Sequence, residues 1–435
     1  MPRHPSVPLA SGKRILFLFC GLFAVIPPVV FSPRVMADEI HLDASVAGQV
    51  REDDQSQRET PVNGYLGALF KDTESHFSTA ADLRVFRDFN LRRDAFDLYQ
   101  ALIRWDPIDL LKLDFGRQFI SQGFSTDIID GIKMRIVPKG IVGFTLYAGV
   151  PRTVEEGDFN RDDGLLTGLS IGFKDVPRTN AQIHVSWRKE EVNGTGFGGN
   201  DEILAGANLS YQLSNSPRTL LYGLFEYDTT GQVINAGTAG VDLSVGRLFS
   251  LNTEFNYFNV NRDSERPSIL EAFTEGPILS GRGAFTLTLV RRTLDFVSGY
   301  SYQWEEITSG THRPGHLLDA GFEITFEEEG LLLSPGYYFR KSYGGTLHGV
   351  RALLHEQFTP RFYFSVAGDY AKYEKVTNHN GNAATLSLWT GYEVIKGLTL
   401  SAGWEMNRNV FFDNDVRGSF RIDYAFNHKF ENKKK

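Results

Sequence analysis

The sequence predicts an all-β chain: one antiparallel, up-and-down transmembrane β-barrel of about 22 strands (roughly 18 to 22). Three observations predict it. Apolar and polar residues alternate with period 2 over runs of about ten residues, which puts alternate side chains on opposite faces and suits a tilted strand crossing a bilayer. Short turns and longer polar connections take turns along the chain, as in barrels with short periplasmic turns and longer external loops. After the first forty residues no apolar run is long enough for a spanning helix.

The repeating unit is clearest from Ala95 to Val150. AFDLYQALIRW alternates, Asp106-Pro107 reads as a tight turn, and LLKLDFGRQF alternates again. A looser polar stretch leads to DIIDGIKMRIV, a Pro138-Lys139-Gly140 turn and IVGFTLYAGV. Along the whole chain the longer connections fall near 51–61, 151–164, 191–202, 261–280, 305–315, 374–381 and 407–416. Short turns alternate with them, at Asp175 to Asn180, Ser214 to Pro217, Gly246-Arg247, Glu327 to Gly330, Thr359-Pro360 and Lys396-Gly397. The connection around Thr229 to Gln232 is short where the phase calls for a long one.

The first 37 residues read as a cleaved export signal, leaving 38–435 as a single barrel domain in the cell outer membrane. Arg3, Lys13 and Arg14 precede an apolar stretch from Ile15 to Val30, and Val35-Met36-Ala37 ends on a small residue before Asp38. Pro27-Pro28 argues against a retained anchor helix. Cys20 is the only cysteine, and bulky Phe19 before it makes it a poor lipid acceptor. A mature chain without cysteine excludes disulfides, thiolate catalysis, Cys-zinc sites and covalent c-type haem attachment. Cleavage removes four basic side chains and no acidic one, leaving 41 basic residues against 53 acidic ones, a net charge of −12. Such a chain is a poor nucleic-acid binder.

The faces separate cleanly. Ile183, Val185 and Trp187 alternate with Gln182, His184, Ser186 and Arg188; Leu318, Ala320, Phe322, Ile324 and Phe326 alternate with Asp319, Gly321, Glu323 and Thr325. In a soluble sandwich the apolar face would turn inward, and periodicity alone does not separate the two. Export, strand length, loop alternation and the many Phe and Tyr near strand ends favour lipid. The last run, Arg417 to Phe430, carries Phe420, Tyr424, Phe426 and Phe430 in one phase and resembles the C-terminal assembly signal of outer-membrane barrels, although Glu431, Asn432 and three lysines follow it.

No motif points to an enzyme, and neither a cofactor nor a metal is expected. His312 and His316 flank Pro314-Gly315, so they read as a turn, and Glu327-Glu328-Glu329 reads as a solvated turn. EEGDFNRDD (Glu155 to Asp163) lacks full calcium-loop spacing. The polar residues expected to line the lumen are Lys112, Asp114, Lys133, Arg135, His184, Arg188, Glu254, Asp319, Glu323, Arg351, Asp369, Glu405, Arg421 and Asp423. Opposed acidic and basic rows would set ion selectivity; the same residues would also brace the wall as buried pairs.

Arg117 and Asp130 break the pattern. They share the phase of Leu111, Leu113 and Phe115 and of Ile132, Met134 and Ile136, so both charges fall on the nominal lipid face of neighbouring strands near their loop ends. Either Gly116 allows a bulge that turns Arg117 inward, or the two pair at the rim. Gly116-Arg117-Gln118 followed by Asp130-Gly131 resembles outer-membrane porins and alginate-export-type barrels. The resemblance implies a porin-like class without a substrate.

A barrel of this width without a plug domain needs something to occupy it or stays open. Asn261 to Gly281 is the longest connection, and Pro267, Ile269, Leu270, Glu271 and Phe273 within it are candidates for a constriction loop. The leading expectation is a channel for small solutes or ions. The alternatives are the barrel sheath of a porin–multihaem cytochrome conduit and a polysaccharide-export barrel. Expected partners are outer-membrane lipid, the barrel assembly machinery and, in the conduit reading, a multihaem cytochrome in the lumen.

Overall fold

A computed structural model describes residues 38–429 except 53–57, 73, 139, 141, 153–163, 174–175, 191–200, 260–276, 309–310, 343–344, 375–379 and 410–414. The expected signal segment lies outside the described residues.

The strands are β1 (Glu39–Glu52), β2 (Arg58–Glu59), β3 (Pro61–Asp72), β4 (Phe77–Asp88), β5 (Arg93–Ile108), β6 (Leu111–Gln122), β7 (Ser125–Ile136) and β8 (Val142–Arg152). Next come β9 (Gly164–Phe173), β10 (Thr179–Glu190), β11 (Asp201–Asn215), β12 (Arg218–Asp228), β13 (Val233–Val245), β14 (Phe249–Phe258), β15 (Ile278–Val290) and β16 (Leu294–Thr308). The chain then forms β17 (Thr311–Phe326), β18 (Leu331–Ser342), β19 (Gly345–Thr359), β20 (Phe362–Glu374), β21 (Asn380–Ile395), β22 (Leu398–Arg408) and β23 (Asp415–Lys429).

Each long strand pairs antiparallel with its neighbours in sequence, and β1 closes the ring by pairing with both β3 (Ala44 opposite Leu66) and β23 (Ala44 opposite Tyr424). The two-residue β2 only extends the end of β1 (Arg51 opposite Glu59). The barrel therefore has 22 strands. The wide spacings, such as Arg152 to Gly164 and Phe258 to Ile278, all lie at one end, where β1 also turns into β3. Short turns, the start of β1 and the end of β23 lie at the other.

Period-2 alternation turns the apolar set outward. Ile132, Ile183, Leu209, Phe225, Phe255, Tyr300, Val350 and Tyr370 are all exposed. Near the short-turn end, Phe249, Phe285, Phe296 and Phe322 form a ladder across four strands, with ring centroids 6.3, 5.8 and 5.3 Å apart. Exposed aromatic and aliphatic rows around a closed ring are what a lipid-facing wall requires.

Two local expectations are corrected. Asp106-Pro107 is no turn: β5 runs to Ile108, and the register shifts between Trp105 and Ile108, so Pro107 sits where no ladder donor is needed. His312, Pro314 and His316 lie on β17, because that strand runs past the expected loop at 305–315 and pairs Trp304 with Pro314.

Ile132→Arg should lower barrel stability by about 2–4 kcal/mol if its site lies near the bilayer midplane. Equilibrium urea unfolding in lipid vesicles checks this; a change near zero is what a water-facing wall would give.

Candidate functional site

The lumen is shaped by a departure from the regular ladder. Pairing of β5 with β6 ends at Ala101 opposite Arg117, and pairing of β8 with β9 ends at Gly149 opposite Leu166. The β6–β7 ladder continues to Gln122 opposite Ser125. The long-loop ends of β6, β7 and β8 thus leave their outer neighbours together. The split lies at a row of glycines, Gly116 opposite Gly131 opposite Gly149. Gly116 has φ 109°, and a Cβ there would run into the Ala101 carbonyl oxygen, as one at Gly131 would run into that of Ala148. Only a row without side chains lets three backbones crowd and bend here.

Beyond the bend, the hairpin enters the barrel. Its tip residue Gly123 (φ 58°) sits on Glu226 and His184, leaving no space for a Cβ. Those two side chains belong to the inner faces of β12 and β10, since Phe225, Ile183 and Val185 beside them are exposed outward. Asp127 forms an ion pair with Arg188 on β10, and Tyr147 donates to Gln122 Oε1 at 3.1 Å. Ile120, Ile129, Tyr147 and Leu166 form a buried apolar cluster between hairpin and wall. His184 and Glu226 are covered (2% and 1% exposed), 3.8 Å apart, and Asn235 donates to Glu226.

The packing inverts the faces beyond Gly116. The face bearing Gln118, Ile120, Gln122 and Ile129 is pressed on the wall, so the nominal lipid face looks into the lumen. Arg117 donates from Nε and one Nη to the two Asp130 carboxylate oxygens at 2.7 and 2.9 Å, and Arg152 Nε donates to Asp130 at 2.7 Å. Arg117 also donates to the Leu98 carbonyl at 3.0 Å, capping the edge of β5 that β6 has left. Below the bend, fully buried Asp114 accepts from Arg104 at 2.6 and 3.2 Å and from Arg135 at 3.3 Å, with Lys133 at 3.5 Å. Lys112 lies 3.7 Å from Asp106. Each of the two carboxylates Asp114 and Asp130 is outnumbered by cations, which makes this sector of the inner wall basic.

The remaining expected lumen residues stand in the inward register, distributed around the wall. Glu254 accepts from Tyr222 at 3.0 Å and Asn256 at 2.8 Å. Asp319 is opposite Tyr338, whose hydroxyl donates to Asp369 at 2.6 Å, and Asp369 is opposite Arg351. Glu323 is opposite Asp295, a pair of like charges. Glu405 accepts from Asn407 at 2.6 Å and lies 3.9 Å from Arg417, while Arg421 donates to Asp423 at 2.8 Å. The constriction-loop candidates Pro267, Ile269, Leu270, Glu271 and Phe273, and the Glu155 to Asp163 segment, lie outside the described residues.

The residues that hold the hairpin include Ile120, Gln122, Ile129, Tyr147, Leu166, Glu226 and Asn235, none of which the sequence reading names as candidates, and Gln118, which it names only within the Gly-Arg-Gln motif. The readable signal is Ile120 and Ile129, apolar side chains in the lumen register, Ile129 next to Asp130 and Ile120 three residues after Arg117, both charges standing in the lipid register.

Asp114→Ala should destabilise the barrel by about 3 kcal/mol, because it leaves three cations clustered without their buried carboxylate. Urea unfolding in vesicles checks this, and an unchanged midpoint would contradict it.

No family model matches the sequence, and no curated protein matches it. Solved structures similar to it include the P pilus usher (PapC) translocation pore, at TM-score 0.48 and 10% identity, covering 90% of this chain and 100% of that one. Acinetobacter baumannii OccAB4 aligns at TM-score 0.43 and 11% identity over 91% of this chain and 99% of its own. A BenF-like porin from Pseudomonas fluorescens Pf-5 aligns at TM-score 0.42 and 10% identity over 90% and 99%. Likeness of this degree carries no inference about cargo; the barrel itself rests on its own strand ladders.

Proposed function

We propose that the chain is a non-enzymatic outer-membrane channel for small hydrophilic solutes or ions, exported by a signal cleaved after Ala37, with its long-loop end outside. The observation that supports this most is the β6–β7 hairpin lodged in a charge-lined lumen: it narrows the passage without making a dry plug. Its lumen-facing side carries Arg117 and Asp130, and Arg152 at the end of β8 donates to Asp130. On β6 and its neighbours lies the basic sector around Asp114. Half the ring away, β16 and β17 present Asp295 and Glu323. Opposed charges of this kind create a transverse field that sorts ions and orients dipolar solutes.

Deleting 118–129, with a short turn joining Arg117 to Asp130, should raise single-channel conductance severalfold in planar bilayers. Deleting 267–277 tests the other constriction candidate in the same assay. If neither deletion changes conductance, or if the wild-type chain conducts nothing, the channel reading fails. Replacing Arg104, Lys133 and Arg135 by Gln should move the reversal potential in a salt gradient toward cation preference; an unmoved potential would remove the basic sector from the ion path.

The conduit alternative has the hairpin in the way of a lumenal cytochrome. A stoichiometric haem Soret band on protein isolated in mild detergent from its own membrane would restore it.

A further inference from the structure

We propose that the outward face of β17–β22, at the long-loop end, is a binding site for the phosphorylated headgroup of outer-leaflet lipopolysaccharide. This rests on the reading of the chain as an outer-membrane barrel with that end outside.

The site follows from register. His316 and Lys341 are direct partners on β17 and β18, His348 and Lys372 on β19 and β20, and Arg408 lies opposite Ala384 on β22 and β21. All five share the outward register of exposed Tyr337, Val350 and Tyr370. Direct partners on adjacent strands bring their side chains within about 5 Å, and Lys341 and Lys372, two strands apart, are about 10 Å from each other. The group thus forms one contiguous band rather than scattered charges.

Charge balance separates this band from the rest of the rim. Elsewhere on the outward rim, Arg87 lies 3.6 Å from Asp94 and Lys189 is opposite Asp201, while Glu306 on β16 is opposite His312, beyond the band. On β17–β22 one carboxylate, Glu374, 3.7 Å from Lys372, answers three fixed cations and two histidines. Lys372 remains 62% exposed despite that contact. Uncompensated cations on a lipid-facing wall are costly toward the membrane interior and become favourable only against anionic groups. Phosphate meets that need with several acceptor oxygens per charge.

The surroundings suit a sugar-phosphate headgroup. The Tyr300 hydroxyl lies 2.8 Å from His316 Nδ1 and the Tyr337 hydroxyl 2.7 Å from His348 Nδ1, so both imidazoles are fixed in place by neighbouring phenols. Trp304 stacks on His312 with ring centroids 3.9 Å apart, adding a flat aromatic surface above the band. Amphipathic rings of this kind sit at the headgroup level of a bilayer.

The test is native mass spectrometry of the purified full chain in non-ionic detergent, titrated with bis-phosphorylated lipid A and separately with dephosphorylated lipid A. The wild-type chain should retain the phosphorylated form. The Lys341→Gln, Lys372→Gln, Arg408→Gln triple variant should bind it about tenfold more weakly or less, and dephosphorylated lipid A should bind the wild type no better than that. Lys189→Gln, on the far side of the rim, should bind as wild type. Equal retention by the triple variant, or equal binding of dephosphorylated lipid A, overturns the site. If the triple variant lacks the heat-modifiable mobility of a folded barrel, wild-type binding in about 1 M salt decides instead, where charge is screened beyond about 3 Å: loss supports the site and persistence overturns it. Channel conductance of the folded triple variant should match wild type. A chain that binds lipid A yet conducts nothing would sink the channel reading alone.

Discussion

A side chain at Gly131 would occupy the space of the Ala148 carbonyl oxygen, and one at Gly116 that of Ala101. This steric exclusion sets the course of three strands. With glycine at each crossing, the backbones of β6, β7 and β8 approach closely enough to bend, and their long-loop ends turn into the lumen. With any larger residue they would continue up the wall as their neighbours do. The bend then decides which residues meet lipid, which meet water and which are buried.

Its first consequence is a second small core inside a barrel whose main apolar surface faces outward. Ile129 and Ile120, at 0% and 4% exposure, are better buried than most of the wall, and their burial against Tyr147 and Leu166 gives the hairpin a reason to stay. The second consequence is electrostatic. Arg117 and Asp130 would be expensive in hydrocarbon, but past the bend the same register faces hydrated space, and Asp130 pairs with both Arg117 and Arg152. Charge at the lumen wall is therefore tolerated for a different reason on each side of Gly116: below it by alternation, above it by inversion.

Most of the architecture was legible in the sequence because it depends on a local period. Ile183, Val185 and Trp187 against His184 and Arg188 state the two faces of β10 without reference to anything distant, and the turn residues at Glu327 to Gly330 and Lys396-Gly397 mark the ends of β17 and β21 as plainly. The failures have a common cause. Pro107 signals a turn locally, but a register shift on β5 absorbs it; Pro314 does the same, but β17 extends regardless. The hairpin is a non-local event: nothing adjacent to Gly123 announces Glu226 or His184, which come from strands far along the chain. What the sequence did carry was a local contradiction, Arg117 and Asp130 in the lipid phase beside Gly116 and Gly131, and its resolution needed the packing partners.

The most direct measurement is thiol accessibility on either side of the bend. Cys20 is the only native cysteine and lies in the expected signal segment, so single cysteines at Phe115 and Phe119 report cleanly. Both occupy the same phase of β6 and are similarly exposed, at 38% and 39%. In lipid vesicles, an inward hairpin requires that Phe119→Cys react with a charged, water-soluble methanethiosulfonate while Phe115→Cys reacts only with a lipid-soluble maleimide. If the two cysteines show the same preference for the lipid-soluble reagent, β6 runs straight up the wall and the lumen is not shaped by this hairpin.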